Sequence, residues 1–188
     1  MRTPDYPLQT ERLVLRPWRE GDRDHYVAIR TDPDVAAYIP GHPLSFEVAN
    51  EWFDRAVAKG TEAADGVSIA VVDKATSAIV GTAGVFWHNL EHRQGELGYI
   101  LSPGYVGQGY ATEAAERLLE AAFCDLGAHR VFAELDPRNT ASAKVCERLG
   151  MRFEGHLRGT YLEPDGTDSD SYLYAILAAE WRAQRGRS

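Results

Sequence analysis

Gly104-Tyr-Val-Gly107-Gln-Gly109-Tyr-Ala-Thr112-Glu-Ala-Ala115 stands between two runs of different period. Before it, Glu96-Leu-Gly-Tyr-Ile-Leu101 reads as a strand. After it, Ala114, Ala115, Leu118, Leu119, Ala122, Phe123 and Leu126 recur at the spacing of one helical face. A strand, a glycine-rich turn and a helix start in that order build an anion site. Glycine lets backbone N–H groups converge, and the first turn of a helix adds unpaired donors and a partial positive charge. The stretch predicts an α/β fold and a phosphate-bearing ligand.

Working outward, residues 1–10 are polar with two prolines and read as an arm, leaving 11–188 as one domain without a visible boundary or repeat. Glu11 to Trp18 alternates around Leu13 and Leu15 and stops at Pro17, as a strand does. A short helix over Asp22–Arg30 leads into a loop punctuated by Pro33, Pro40, Gly41 and Pro43. Ser45 then caps a helix with Trp52, Phe53, Ala56 and Val57 as its apolar stripe.

Strands over Gly66–Val72 and Ala78–Trp87 meet at a hairpin-length turn, and Gln94–Leu101 follows as a third. A helix from Gly107 to Leu126 is expected next, followed by a strand, Arg130–Leu135, and a helix opened by Asn139 and stopped at Gly150. Two more strands, Phe153–Arg158 and Ser171–Leu177, flank a polar loop with Pro164, Asp165, Gly166, Asp168 and Asp170, and a short helix through Trp181 closes the chain. The pattern is a mixed, mostly antiparallel sheet of about seven strands with helices on both faces.

With 188 residues and 44% apolar composition the chain suits one soluble domain with a sizeable core. A net charge of −8 argues against nucleic acid as a partner and fits an amine-bearing one, although acidity also serves solubility. Two cysteines make no disulfide scaffold, and Cys124 falls among apolar helix positions as an expected buried thiol. No leader and no run of 18 apolar residues is present, so a cytoplasmic location without a membrane partner is expected.

Two common phosphate-binding loops do not fit the glycine turn. A dinucleotide fingerprint wants three glycines near the start of a βαβ unit, and a P-loop wants Lys-Ser or Lys-Thr where Tyr110-Ala111 stands. Instead Gly107-x-Gly109-Tyr-Ala-Thr-Glu113-Ala resembles the signature of the Gcn5-related N-acetyltransferases (GNAT). The segment Asp136-Pro-x-Asn139-x-x-Ser142-x-x-Val-x-Glu147-Arg-Leu149-Gly150-Met-x-x-Glu154-Gly155 is similar to the RimJ/RimL-like branch, which acetylates ribosomal-protein N-termini. Thr10-Glu-Arg-Leu-x-Leu15-Arg-Pro17 resembles that branch's first strand.

The resemblance implies a sheet splayed at its centre, with acetyl-CoA between Gly98–Leu101 and Val131–Leu135. It implies that backbone groups of Ile100 and Leu101 pair with the pantetheine amides. The pyrophosphate would rest on the N–H groups of Val106, Gly107, Gln108, Gly109, Tyr110 and Ala111, with Thr112 adding a hydroxyl. The family often has Gln or Arg where this chain has Gly104. Asn139 would hold the pantetheine arm, while its bare reading is a helix cap. Ser142 would support the leaving thiolate, since Cys146 stands where many relatives carry a tyrosine.

Glu96 shares a strand face with Gly98 and Ile100 and is the candidate base, against the plainer reading of a carboxylate in a salt bridge. Tyr161 and Glu163 mark the region where RimL-like relatives carry another carboxylate.

The implied activity is acetyl transfer from acetyl-CoA to a primary amine, either a protein N-terminus or a small molecule, by direct attack in a ternary complex. A monomer or homodimer is expected. A module that binds acyl-CoA without turnover is the other reading. His88-Asn-Leu-Glu91-His92 matches a zinc-peptidase spacing, but it follows a β-rich run, so no metal is expected.

Overall fold

The computed structural model describes residues 4–39, 43–60, 66–163 and 165–186. Eight strands form one sheet: β1 (Leu8–Gln9), β2 (Leu13–Arg16), β3 (Val67–Asp73), β4 (Ile79–Asn89), β5 (Gln94–Leu101), β6 (Arg130–Leu135), β7 (Arg152–Leu162) and β8 (Asp168–Leu177). Their order is β1-β2-β3-β4-β5-β6-β8-β7. Every neighbouring pair is antiparallel except β5–β6, and that parallel pair is joined by a crossover helix. The helices are α1 (Arg23–Thr31), α2 (Pro33–Ala36), α3 (Phe46–Lys59), α4 (Tyr110–Cys124), α5 (Thr140–Arg148) and α6 (Ala178–Arg185).

Alternation sends each face of the sheet to a different layer. Val67, Ile69 and Val71 of β3 join the larger core with Ala114, Leu118 and Leu119 of α4, Val145 and Cys146 of α5, and Trp181 of α6. Ala70, one residue out of phase, packs on the other face with Trp18, Tyr26 of α1 and Phe53 of α3. The three aromatic rings there meet edge to face at 5.0–6.3 Å. No helix among the described residues is long and apolar enough to cross a membrane.

The departures from sequence expectation have local causes. Leu8–Gln9 pair with β2 and Leu8 is buried, so the first ten residues end in a strand, and the sheet has eight strands rather than about seven. Helix α4 starts at Tyr110 because Gly107 and Gly109 hold left-handed φ values of +81° and +83°, outside helical geometry. Within the proline-rich loop, Pro33 opens the short α2 behind an Asp32 cap, a position where its missing N–H costs nothing. Strands β7 and β8 extend further into the polar loop than the apolar residues indicated. Cys124 is exposed, since it ends α4 outside the stripe that faces the sheet. Pro40, Gly41 and Pro164 lie outside the described residues.

Candidate functional site

Parallel strands β5 and β6 are paired over three positions only, Gln94, Gly95 and Glu96 with Arg130, Val131 and Phe132. Past Glu96, β5 continues to Leu101 on β4, while β6 continues to Leu135 on β8. The sheet therefore forks at its centre. A cavity of about 290 Å³ occupies the fork, lined on the β5 side by Glu96 to Ile100 and on the β6 side by Ala133 to Asp136. Asn139, Ser142 and Cys146 of α5 complete that wall. Backbone groups at the fork face a gap where a sheet would supply a neighbouring strand.

The fork opens through the sheet, and its two faces carry different chemistry. Leu97, Tyr99, Val131 and Ala133 pack with the α4–α5 core. Strand alternation puts Glu96, Gly98, Phe132 and Glu134 on the opposite face. Burial raises the Glu96 carboxyl above the usual range, Glu134 raises it further, and His88 opposes both. His88 sits edge-on to Phe132 at 5.4 Å on this face.

Glu134, absent from the sequence-derived candidates, accepts a hydrogen bond from the Ser171 hydroxyl, whose residue is 1% exposed. Ser171 in turn meets Thr160 Oγ1 at 2.5 Å. A lone carboxylate within the apolar run Val131–Leu135 was the available signal for Glu134. Tyr161 lines the same cavity, its phenol pushed up by burial and then by Glu134 and Glu96. Glu163 is not brought there. Its carboxylate accepts from Ser169 Oγ at 2.5 Å and faces an adjoining groove of about 770 Å³ with Asp136, Asp168 and Asp170.

The glycine turn lies beyond the end of β5, outside this cavity. Gly104 and Tyr105 belong to a 3₁₀ turn, Val106 is exposed, and Gly107 and Gly109 supply the left-handed bends. No backbone acceptor is found among the described residues for the N–H groups of Tyr110, Ala111 and Thr112. These are the unpaired donors expected of a helix start. The Gln108 side chain bridges back to the Gly104 carbonyl at 2.9 Å.

Two distant motifs meet here. Glu113, in the first turn of α4, accepts from Thr10 Oγ1 at 2.5 Å, Arg12 N at 2.8 Å and Arg12 Nε at 2.7 Å. Arg12 Nη1 also donates to the Gln108 carbonyl at 3.0 Å, and its guanidinium lies 4.6 Å from the Tyr110 ring centre. Burial pushes the Glu113 carboxyl up, but the bonds from Thr10 and Arg12 outweigh it and hold it below the usual range. The Tyr110 hydroxyl donates to Asp73 at 2.8 Å, tying the same turn to the end of β3.

At the start of α5 the Asn139 side chain accepts from the Ser142 N–H at 3.0 Å, so the helix-cap role is met. Asn139 and Ser142 nonetheless line the fork cavity, together with Glu96 and Ile100. Leu101 ends β5 opposite Gly81, one residue past the cavity wall. Cys146 is fully buried, and burial pushes its thiol up to about 12. The tract from His88 to His92 spans the end of β4 and the turn into β5, so its histidines do not share a helical face. No cluster of three or more metal-ligating side chains occurs among the described residues.

Residues 12–152 match the family model described as an acetyltransferase (GNAT) domain. An uncharacterized N-acetyltransferase of Bacillus subtilis, YnaD, is 31% identical over 175 residues, 93% of this chain and 98% of that protein. A GNAT-family acetyltransferase from Bacillus anthracis superposes with a TM-score of 0.81 at 30% identity, covering 92% of this chain and 99% of the other. Spermidine N-acetyltransferase of Vibrio cholerae, solved with CoA and spermine, superposes with a TM-score of 0.79 at 22% identity, over 92% and 99%.

Proposed function

The chain belongs to the GNAT family and is an acyltransferase, and from that premise we propose that it acetylates a cationic primary amine held at the Glu96 face of the fork. The observation that carries this reading is the three-position pairing of β5 and β6, with a carboxylate on one face of the resulting gap and hydroxyl groups on the other. Acetyl-CoA would lie in the fork. Ile100 and Leu101 would offer backbone partners to the pantetheine amides, and Asn139 would hold the same arm. The pyrophosphate would rest on the N–H groups of Val106 to Ala111 and the Thr112 hydroxyl, on a turn that Arg12 and Glu113 hold in place.

The amine arrives mostly as an ammonium and must lose a proton before it attacks. Glu96, with a carboxyl raised by burial, is a stronger base than an exposed glutamate and accepts that proton directly or through water. The nitrogen then bonds to the thioester carbon. A backbone N–H near Ile100 stabilises the charge that develops on the carbonyl oxygen. The C–S bond breaks toward α5, where Ser142 supports the departing thiolate. Cys146 is an unsuitable nucleophile, because a thiol raised to about 12 stays protonated at neutral pH. Direct attack without an acyl-enzyme follows.

The acceptor side is acidic. Arg138 pairs with Asp136 in the groove next to the cavity, and Glu163, Asp165, Asp168 and Asp170 leave its lining acidic, which supports a small polyamine of the kind held by the Vibrio cholerae enzyme. A protein N-terminus, the acceptor of RimJ/RimL-like relatives, is the second reading, favoured by the Asn139–Ser142 segment. Consumption of acetyl-CoA fits a cytoplasmic setting. The test is CoA release with polyamines, monoamines and peptides that begin with alanine or serine. Turnover with polyamines above all others supports the reading, and turnover confined to peptides transfers it to the N-terminal class. Tight CoA binding without turnover on any acceptor would overturn both.

A further inference from the structure

On the α5 face of the fork, three side chains carry a hydrogen that a departing sulfur could use: Tyr99, Ser142 and Cys146. Tyr99 is the one that no reading of the glycine turn or of the α5 segment picks out. Its ring packs against the core shared with α5, and its hydroxyl reaches the first turn of that helix. The contact it makes there, to the Ser142 carbonyl, is 3.5 Å long, beyond the range of about 2.5–3.0 Å of an ordinary hydroxyl hydrogen bond. Such a contact orients the phenol without using its hydrogen fully. Among the described residues, no other hydrogen bond of this hydroxyl is found.

We propose that the Tyr99 hydroxyl is a catalytic hydrogen-bond donor to the sulfur of CoA as the thioester breaks. The inference rests on acetyl-CoA occupying the fork as described above. Glu96 and Tyr99 come from one strand three residues apart, an odd step that puts them on opposite faces of the gap. The attacking nitrogen is thus deprotonated on one side while the leaving sulfur is met on the other. The electrons balance: the nitrogen lone pair forms the C–N bond, and the C–S pair leaves with sulfur. The proton shed by nitrogen passes to the Glu96 side. Burial raises the phenol above its usual range, so Tyr99 keeps its proton and shares it as a hydrogen bond, and sulfur takes its final proton from solvent.

A donor to a thiolate lowers that thiol's pKa, so free CoA bound to the full chain is a direct probe. Ultraviolet absorbance of the thiolate is followed against pH for CoA in solution and CoA bound to wild type, Tyr99→Phe and Ser142→Ala. The bound thiol is expected to titrate about one unit lower on wild type than in solution. That shift is lost in Tyr99→Phe, whereas Ser142→Ala, which removes the other hydroxyl assigned to the thiolate, reduces it by less. Turnover of acetyl-CoA in Tyr99→Phe is expected to fall about tenfold to a hundredfold, with KM for acetyl-CoA within about twofold of wild type.

A wild-type thiol that titrates no lower than free CoA overturns the proposal even if Tyr99→Phe fails to fold. A Tyr99→Phe variant that loses turnover but keeps the shifted titration assigns Tyr99 a structural role and also overturns it. Absence of turnover with every amine would count against the acceptor reading alone, since the titration needs no acceptor.

Discussion

Glu96 is raised by burial, by the charge of Glu134 and against the pull of His88, and each influence can be removed separately. In a profile of kcat/KM against pH, the rising limb should reflect loss of the Glu96 proton. Glu96→Gln should flatten that limb and lower kcat/KM about a hundredfold. Glu134→Gln removes a neighbouring negative charge, which favours the ionised form, so the limb should move to lower pH. A limb unmoved in both variants would show that the substrate amine alone titrates there.

Stability follows the same sign. A carboxyl whose folded pKa lies above its unfolded value supports the fold at low pH and loses that contribution as pH rises through the folded pKa. Glu96→Gln should therefore raise the melting temperature at neutral pH and leave it nearly unchanged below the ordinary glutamate range. Thermal unfolding at the two pH values checks this.

At the scale of elements, α4 and α5 both present their first turns to the proposed acetyl-CoA site, and their starts are built differently. The Asn139 cap on α5 was legible because Asn and Ser at that spacing are local signals. The proposed second role, on the pantetheine arm, is separable by substitution. Asn139→Ala should cost about 1 kcal/mol of stability, the usual loss of a cap. Asn139→Ser should restore the cap and most of that stability, while both variants weaken acetyl-CoA binding if the amide holds the pantetheine arm. Equal recovery of stability and binding in Asn139→Ser would leave the residue as a cap alone.

The start of α4 depends on Glu113, which gathers three donors from a segment about a hundred residues away. Arg12 is 42% exposed, so the ion pair by itself contributes little to stability. Its effect should fall on the shape of the turn. Glu113→Ala is expected to raise KM for acetyl-CoA about fivefold to tenfold, equivalent to roughly 1 kcal/mol, with kcat nearly unchanged. Steady-state kinetics with acetyl-CoA as the varied substrate reads this directly. The sequence displays both motifs, but their contact depends on β2 lying beside α4, which no local pattern encodes.

For the molecule as a whole, the decisive feature is an interruption of an otherwise continuous sheet. Alternation and turn residues wrote most of the strands legibly, and the family resemblance supplied the fork before its geometry was visible. The partners of Glu96 were not legible. Glu134 acts on Glu96 through the pairing of β6 with β5, and Ser171 reaches Glu134 through the pairing of β6 with β8, so the cluster depends on register across three strands. The face given to Tyr99 follows likewise from where the α4 crossover lies, a property of the connection rather than of the strand.

The same interruption predicts how the protein responds to its ligand. Among the described residues, backbone groups of Gly98 to Leu101 that face β6 lack strand partners, and the donors at Tyr110 to Thr112 lack backbone acceptors. A ligand that fills both sets should quiet these two segments together. Hydrogen exchange with saturating CoA should slow at 98–101 and 106–112, with little change in β2 and β3, which are already paired. At a hundred times its Kd, CoA should also stabilise the fold by about 2.7 kcal/mol, read as a rise in melting temperature. Protection at 106–112 without protection at 98–101 would place the nucleotide end on the glycine turn but leave the pantetheine arm outside the fork. The chemistry assigned to Glu96 and Ser142 would then have to be sought elsewhere.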